Sequence, residues 1–417
     1  MVQRVMVPIS GRTPHGRRPP MTASLDETDS AGDPSATAAG PARRGSKRGS
    51  RPSERKVLVL QGGGSLGAYQ AGAYAELSAA GLAPDWVAGI SIGAINAAII
   101  AGNAPSQRVE KLRAFWERVS SVLPIDQSLP GDAGRQAYSD FAAAFGAMFG
   151  IPGFFAPRFP PAALRAPGGP AATSHYDTEP LARTLEDLVD FSLIAQGDTR
   201  LSVGAVDVET GNFAYFDSAE TRLSPVHIMA SGALPPGFPP VEIDGRLYWD
   251  GGIVSNTPLH YVMEEHRSAE PMCIFQVDLF SARGPVPRTL ADVAQREKEI
   301  RYSSRTRMNT DMERELTDVR AALARLCRKL PPELRDDADF RFLMDKARET
   351  PVSIVHLINR REHWQTQSKD YEFSRLTVET LWENGRRDVG KMLADKAWRD
   401  RDPSRPGVQV FDAGRGQ

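Results

Sequence analysis

Short apolar runs alternate with stretches of helical periodicity from Lys56 to about Phe280. The runs expected to form strands are Val57–Leu60, Trp86–Ile90, Leu201–Val206, Phe213–Phe216 and Cys273–Leu279. The stretches expected to form helices are Ala68–Ala80, Ile92–Ala101, Ser106–Ser120 and Pro180–Phe191. This alternation predicts a layered α/β domain with a largely parallel sheet. Turn sequences at residues 209–212 and 244–245 indicate hairpins, so we expect the sheet to be mixed.

The composition divides the chain into three parts. Residues 1–54 are rich in Gly, Pro, Ser, Ala and Arg and lack apolar periodicity, which predicts a disordered basic tail. Residues 55–282 carry the α/β pattern. Residues 283–417 are charged and mostly helical in pattern, with one strand-like run at Val352–Ile358, and predict a helical C-terminal extension.

An insertion at residues 122–176 interrupts the α/β pattern. Phe141, Phe145 and Phe149 recur there at helical spacing, and Met148 stands beside them. Phenylalanines at this spacing are usually core residues, which is the first interpretation. The alternative is an apolar surface that lines an acyl-chain pocket or touches a membrane.

Bulk properties exclude several classes of protein. The 51 basic and 52 acidic residues nearly cancel, so no global field indicates nucleic-acid binding. Two cysteines exclude a disulfide framework and a cysteine zinc site, and no His–carboxylate spacing predicts a metal. The chain shows no secretory signal, and its longest apolar stretch, residues 86–101, is too short to span a bilayer. We therefore expect a cytoplasmic protein without cofactor or metal, in some conditions peripheral to the inner face of the membrane.

The first candidate motif is the glycine loop Gly62-Gly63-Gly64-Ser65-Leu66-Gly67, between a strand-like run and a helical stretch. It fits the dinucleotide-binding fingerprint, which also needs an acidic residue at the end of the second strand. Asp85 has about the right spacing but precedes that strand, so the dinucleotide site is the weaker interpretation. Consecutive glycines at a helix N-terminus can instead aim N–H groups at an oxyanion. We expect an oxyanion hole here.

The second motif, Gly89-Ile90-Ser91-Ile92-Gly93, joins an apolar run to a small-residue helix. A Gly-x-Ser-x-Gly turn of this kind is a nucleophile elbow, in which the strained serine crowds the positions two residues away on either side. The pattern predicts Ser91 as the nucleophile and Gly89 and Gly93 as the small residues that the elbow needs. The helix N-terminus would favour the developing alkoxide.

The third motif, Asp250-Gly251-Gly252, offers a base for Ser91. An ordinary Asp is a weak base at neutral pH, so Asp250 would need burial and direct contact with the serine. His260 and His266 are the alternative bases, because they follow Asp250 as in an α/β-hydrolase.

Together these motifs, with the stretch Ser231-Gly232-Ala233-Leu234-Pro235-Pro236, resemble the patatin-like phospholipases. The resemblance covers residues 56–280 and implies a patatin-like α/β/α fold and a Ser91–Asp250 dyad acting on lipid acyl esters. Many members carry a basic residue where this chain has Leu66. That departure leaves open a patatin-like module that binds lipid or protein without turnover. The sequence does not specify the oligomeric state.

Overall fold

The computed structural model describes residues 54–120, 131–266, 268, 270–303, 306–347, 349–360 and 368–412. Its strands are β1 (Arg55–Leu60), β2 (Trp86–Ile90), β3 (Ala156–Pro157), β4 (Tyr176–Asp177), β5 (Arg200–Asp207), β6 (Phe213–Asp217), β7 (Val241–Ile243), β8 (Arg246–Asp250), β9 (Met272–Asp278), β10 (Val352–Ile358) and β11 (Val408–Asp412). Its helices are α1 (Gly67–Ala79), α2 (Ile92–Ala101), α3 (Arg108–Arg118), α4 (Gly131–Phe149), α5 (Glu179–Leu188), α6 (Phe191–Gln196), α7 (Pro225–Ser231), α8 (Leu259–Glu265), α9 (Leu290–Tyr302), α10 (Thr306–Cys327), α11 (Ala338–Lys346), α12 (Arg375–Ala394) and α13 (Lys396–Arg399).

The main sheet has the strand order β11-β10-β9-β1-β2-β5-β8-β7, and β6 also pairs with β5. The strands from β11 to β5 pair in parallel, whereas β6, β7 and β8 pair antiparallel. Both predicted hairpins are present. The predicted fold class, a mixed and mostly parallel sheet with helices and a helical C-terminal region, is confirmed.

The central strand β1 shows why the fold is layered. Leu58 and Leu60 belong to one hydrophobic cluster, which includes residues of α1, α2 and α12. Val57 and Val59 belong to a second cluster, which includes Leu259 and Val262 of α8. Since successive side chains of a strand point to opposite faces, the sheet is covered by helices on both sides and its central strands are continuously apolar.

The C-terminal region continues this sheet as well as adding helices. Strand β10 pairs with β9, and β11 pairs with β10, both in parallel. The backbones of α12 and α1 are in direct contact. A Cβ on Gly72 would overlap the Trp382 carbonyl, and one on Gly385 would overlap the Tyr69 carbonyl. The domain boundary at residues 282–283 stays a prediction.

The insertion separates into a buried part and an exposed part. Phe154 and Phe155 are buried in the core, as the first interpretation expects. On α4, however, the core interpretation is wrong, since Phe141 is 46% exposed and Phe149 is 61% exposed. Helical spacing places these rings on one face of α4, but it does not determine whether that face packs against the rest of the protein. The first nine residues of the insertion, 122–130, and all of the predicted tail except Glu54 lie outside the described residues.

Candidate active site

Ser91 occupies the turn between β2 and α2, where it is the N-cap of the helix. Its φ of 56° and ψ of −124° place it in a region that is strained for a residue with a side chain. A Cβ on Gly89 would overlap the Gly93 carbonyl, and one on Gly93 would overlap the Leu60 carbonyl. The turn therefore has glycines on both sides of Ser91 at the points where the backbone passes closest to itself.

The register of the sheet places Asp250 beside this turn. Strand β2 pairs with residues 200–204 of β5, ending at Ile90 opposite Gly204. Strand β8 runs the other way along the same edge of β5 and ends with Asp250 opposite Ala205. The two strand ends meet because Gly204 and Ala205 are adjacent, although Ser91 and Asp250 are far apart in the chain.

The Ser91 side chain interacts with the Asp250 carboxylate, and this interaction lowers the pKa of the carboxyl group. Asp250 is 2% exposed, and its Oδ1 also accepts the Gly252 N–H at 2.7 Å. Burial raises the pKa of Asp250 to about 6, while the interactions with Ser91 and Gly252 act in the opposite direction. A carboxylate with this pKa is ionised at neutral pH and is a stronger base than an exposed Asp.

Ser231 supports both strand ends, a role that the sequence did not suggest. Its hydroxyl accepts the Ser91 N–H at 3.1 Å and donates to the Gly204 carbonyl at 2.7 Å. Two residues later, the Ala233 carbonyl accepts the Asp250 N–H at 3.0 Å. The sequence pointed to this region only because the Ser231–Pro236 stretch resembles the family, and that resemblance assigned no role to Ser231.

Asn256 holds the glycine loop against the elbow. Its carbonyl accepts the Gly62 N–H at 3.2 Å, and its Nδ2 donates to the Gly62 carbonyl at 2.9 Å. The Gly62 N–H is thus already bonded to Asn256, which leaves Gly63 and Gly64 as the candidate oxyanion donors. Gly67, the last glycine of the motif, packs closely against Ile92 of α2. Asn256 belongs to the stretch that resembles the family, but no role could be predicted for it from the sequence.

Leu66 is fully buried in the core cluster. At this position, where many family members carry a basic residue, this chain has an uncharged side chain that is not exposed to solvent. The Leu66 side chain packs in the core just before α1.

The alternative bases have partners of their own. His260 pairs with Glu313, which raises its pKa, and His266 Nε2 lies 2.9 Å from the Glu270 carbonyl. Neither of these contacts involves Ser91. The Asp85 carboxylate accepts the Lys56 N–H at 2.8 Å, at the amino end of β1 and away from the glycine loop. This position does not suit a ribose-binding carboxylate.

In the part of the chain that the structure describes, no group of three or more His, Cys, Asp or Glu side chains is placed to hold a metal ion. Within the same residues, no helix combines the length and apolar character needed to cross a membrane.

Comparison with known proteins identifies the family. Residues 58–263 match the model described as patatin-like phospholipase, and residues 300–405 match one described as patatin phospholipase. The two ranges together span more than half of the chain, and the chain belongs to the patatin-like phospholipase family. No curated protein matched.

Two solved structures resemble this chain at low similarity. VipD from Legionella pneumophila is 13% identical, with a TM-score of 0.35, over 82% of this chain and 67% of that chain. The heterodimeric ExoU–SpcU complex of the Pseudomonas aeruginosa type III secretion system is 17% identical, with a TM-score of 0.27, over 70% of this chain. The chain spans 60% of the length of that second structure. Both TM-scores lie below 0.5.

Proposed function

We propose that this protein is a serine acyl hydrolase that cleaves carboxylic ester bonds of lipids with a Ser91–Asp250 dyad. The observation that carries the proposal is the placement of Ser91 beside the buried Asp250 carboxylate by the register of the sheet, with the Ser91 side chain interacting with that carboxylate. Membership of the patatin-like phospholipase family supports a lipid substrate. The contacts of His260 and His266 to other groups favour Asp250 as the base.

In the proposed first step, Ser91 Oγ attacks the ester carbonyl carbon and Asp250 takes the hydroxyl proton. The carbonyl π electrons move to oxygen, and the N–H groups of Gly63 and Gly64 stabilise the resulting oxyanion. When the tetrahedral intermediate collapses, the alcohol leaves with the proton from Asp250 and the acyl group stays on Ser91. Asp250 then takes a proton from water, the hydroxide attacks the acyl-enzyme, and the acid leaves as Ser91 regains its proton.

Release of fatty acid from phosphatidylcholine vesicles tests this function, with Ser91→Ala as the matched variant. We expect release by the wild-type protein and none above background by Ser91→Ala. A folded wild-type protein that is retained on vesicles without releasing acid would instead support a lipid-binding module without turnover. A nicotinamide or flavin that co-purifies with the chain would favour the dinucleotide alternative.

The pKa of Asp250 predicts the pH dependence of turnover. Because the base must be ionised and its pKa is about 6, kcat/KM should fall about tenfold per pH unit below pH 6 and level off above it. A pH profile with an ester that does not itself ionise measures this limb. A limb near pH 4 would contradict the buried base, and a limb abolished by His260→Ala would assign the base to histidine.

Contact with a lipid surface is a further part of the proposal. The α4 face that carries Phe141, Phe145 and Phe149 is exposed, and Met148 beside it is 68% exposed. Rings of this kind contribute to interfacial binding through buried apolar area. Peripheral membrane attachment stays a prediction.

A further inference from the structure

The C-terminal region contacts the glycine loop directly through two consecutive backbone carbonyls. The Ser65 N–H donates to the Asp370 carbonyl at 2.8 Å, and the Ser65 hydroxyl donates to the Lys369 carbonyl at 2.8 Å. Gly64 has a φ of 56° and lies so close that a Cβ would overlap the Asp370 carbonyl. The backbone of Gly64, one of the candidate oxyanion donors, is thus constrained by residues outside the range 58–263 that matches the patatin-like family model.

The side chains of the same two residues are fixed by α9. Lys369 Nζ donates to Glu299 Oε1 at 2.8 Å, and both side chains are at most 5% exposed. The Asp370 carboxylate pairs with Lys298, the preceding residue of α9. Breaking a buried ion pair leaves an uncompensated charge, so the pair holds this segment in one place. The Lys369–Asp370 segment is therefore a rigid support, held at both of its residues.

We propose that Lys369 and Asp370 are positioning residues that set the geometry of the oxyanion hole. This inference rests on the proposed function, because it assigns the Gly63 and Gly64 N–H groups to the oxyanion. Such donors act on charge that develops in the transition state, so their displacement lowers kcat more than it raises KM. The C-terminal region then contributes to catalysis without touching the substrate.

General packing of the C-terminal region is separable from this contact. Helix α12 approaches α1 at Gly72 and Gly385, and Tyr69 of α1 donates to the Asp388 carboxylate at 3.1 Å. These contacts lie on helices, whereas the Ser65 hydroxyl meets Lys369 at the loop. Removing that hydroxyl consequently perturbs the support of the loop and leaves the helix packing in place.

The experiment compares Ser65→Ala with Ser202→Ala under conditions in which both proteins are fully folded. Ser202 is an equally buried serine, which accepts from Trp86 Nε1 at 2.7 Å and donates to Asp217 at 2.6 Å. We expect Ser65→Ala to lower kcat about tenfold to a hundredfold with KM within about twofold of wild type. Ser202→Ala should lower Tm and leave kcat unchanged.

A second variant keeps the test valid if Ser65→Ala does not fold. Asp370→Asn retains the backbone carbonyl but loses the ionic contact with the partly exposed Lys298, so we expect kcat to fall about threefold with little change in Tm. Wild-type kcat in folded Ser65→Ala, or in Asp370→Asn if the first variant is unfolded, overturns this inference alone. No ester hydrolysis by the wild type overturns the proposed function, and this inference with it.

Discussion

Asp250→Asn is expected to lower kcat by about four orders of magnitude, because the amide cannot take the Ser91 proton. The asparagine fits the same space and can still accept the Gly252 N–H, so the loss should occur in a folded protein. Ester hydrolysis by wild type, Asp250→Asn and His260→Ala measures the effect, with the histidine variant as the control that keeps its activity. Wild-type turnover by Asp250→Asn would exclude the dyad.

The same substitution should raise stability at alkaline pH. The folded pKa of Asp250 is about 6, against 3.8 for the ordinary group, so the folded state binds this proton more tightly. The free energy of unfolding therefore falls as pH rises from about 4 to about 6 and stays lower above it. At about 1.4 kcal/mol per pKa unit, the ionised carboxylate costs on the order of 3 kcal/mol at pH 8.

The neutral asparagine lacks that cost. Asp250→Asn should unfold at a higher temperature than wild type at pH 8, and the difference should shrink toward pH 4. Thermal unfolding at the two pH values measures it. If the Tm of Asp250→Asn at pH 8 were equal to or lower than that of wild type, burial of the ionised Asp250 would not destabilise the fold. The expected gain reflects a site in which a buried charge is kept for catalysis at the expense of stability.

Gly89→Ala is the second change with a large expected effect. Its Cβ would overlap the Gly93 carbonyl, and the nearby Ala94 backbone nitrogen lies 2.6 Å from the same point. All of these atoms belong to the backbone at the start of α2, so the elbow itself must move. We expect a loss of about 3 kcal/mol in the free energy of unfolding and a fall in kcat of about 100-fold or more.

Gly390→Ala is the matched control for this change. Gly390 lies in α12, and a Cβ there would meet nothing within 4 Å. Because alanine favours a helix over glycine by about 1 kcal/mol, this variant should be as stable as wild type or more so, with unchanged kcat. Denaturant unfolding and ester hydrolysis measure both variants. Wild-type stability in Gly89→Ala would mean that the close backbone approach at the elbow is absent.

The local parts of the fold could be predicted because their signals are local. The bounds expected for the strand 86–90 and the helix 92–101 agree with β2 and α2, since an apolar run, a glycine and a small-residue helix follow one another there. The strained backbone of Ser91 likewise follows from the five residues of its own motif.

The long-range parts could not be derived from periodicity. The contact of Asp250 with Ser91 depends on β8 joining the edge of β5 that β2 already occupies, which no local pattern specifies. The exposure of Phe149 depends on what α4 meets rather than on its spacing. The support of Ser65 by Lys369 depends on packing between segments at opposite ends of the described chain.

Covalent labelling of the wild-type protein with a fluorophosphonate, followed by mass spectrometry of its peptides, tests the central claim most directly. The account predicts one phosphonylated residue, Ser91, with labelling absent in Ser91→Ala and strongly slowed in Asp250→Asn. A folded wild-type protein that does not react, or a label that persists in Ser91→Ala, would contradict an activated serine at the elbow.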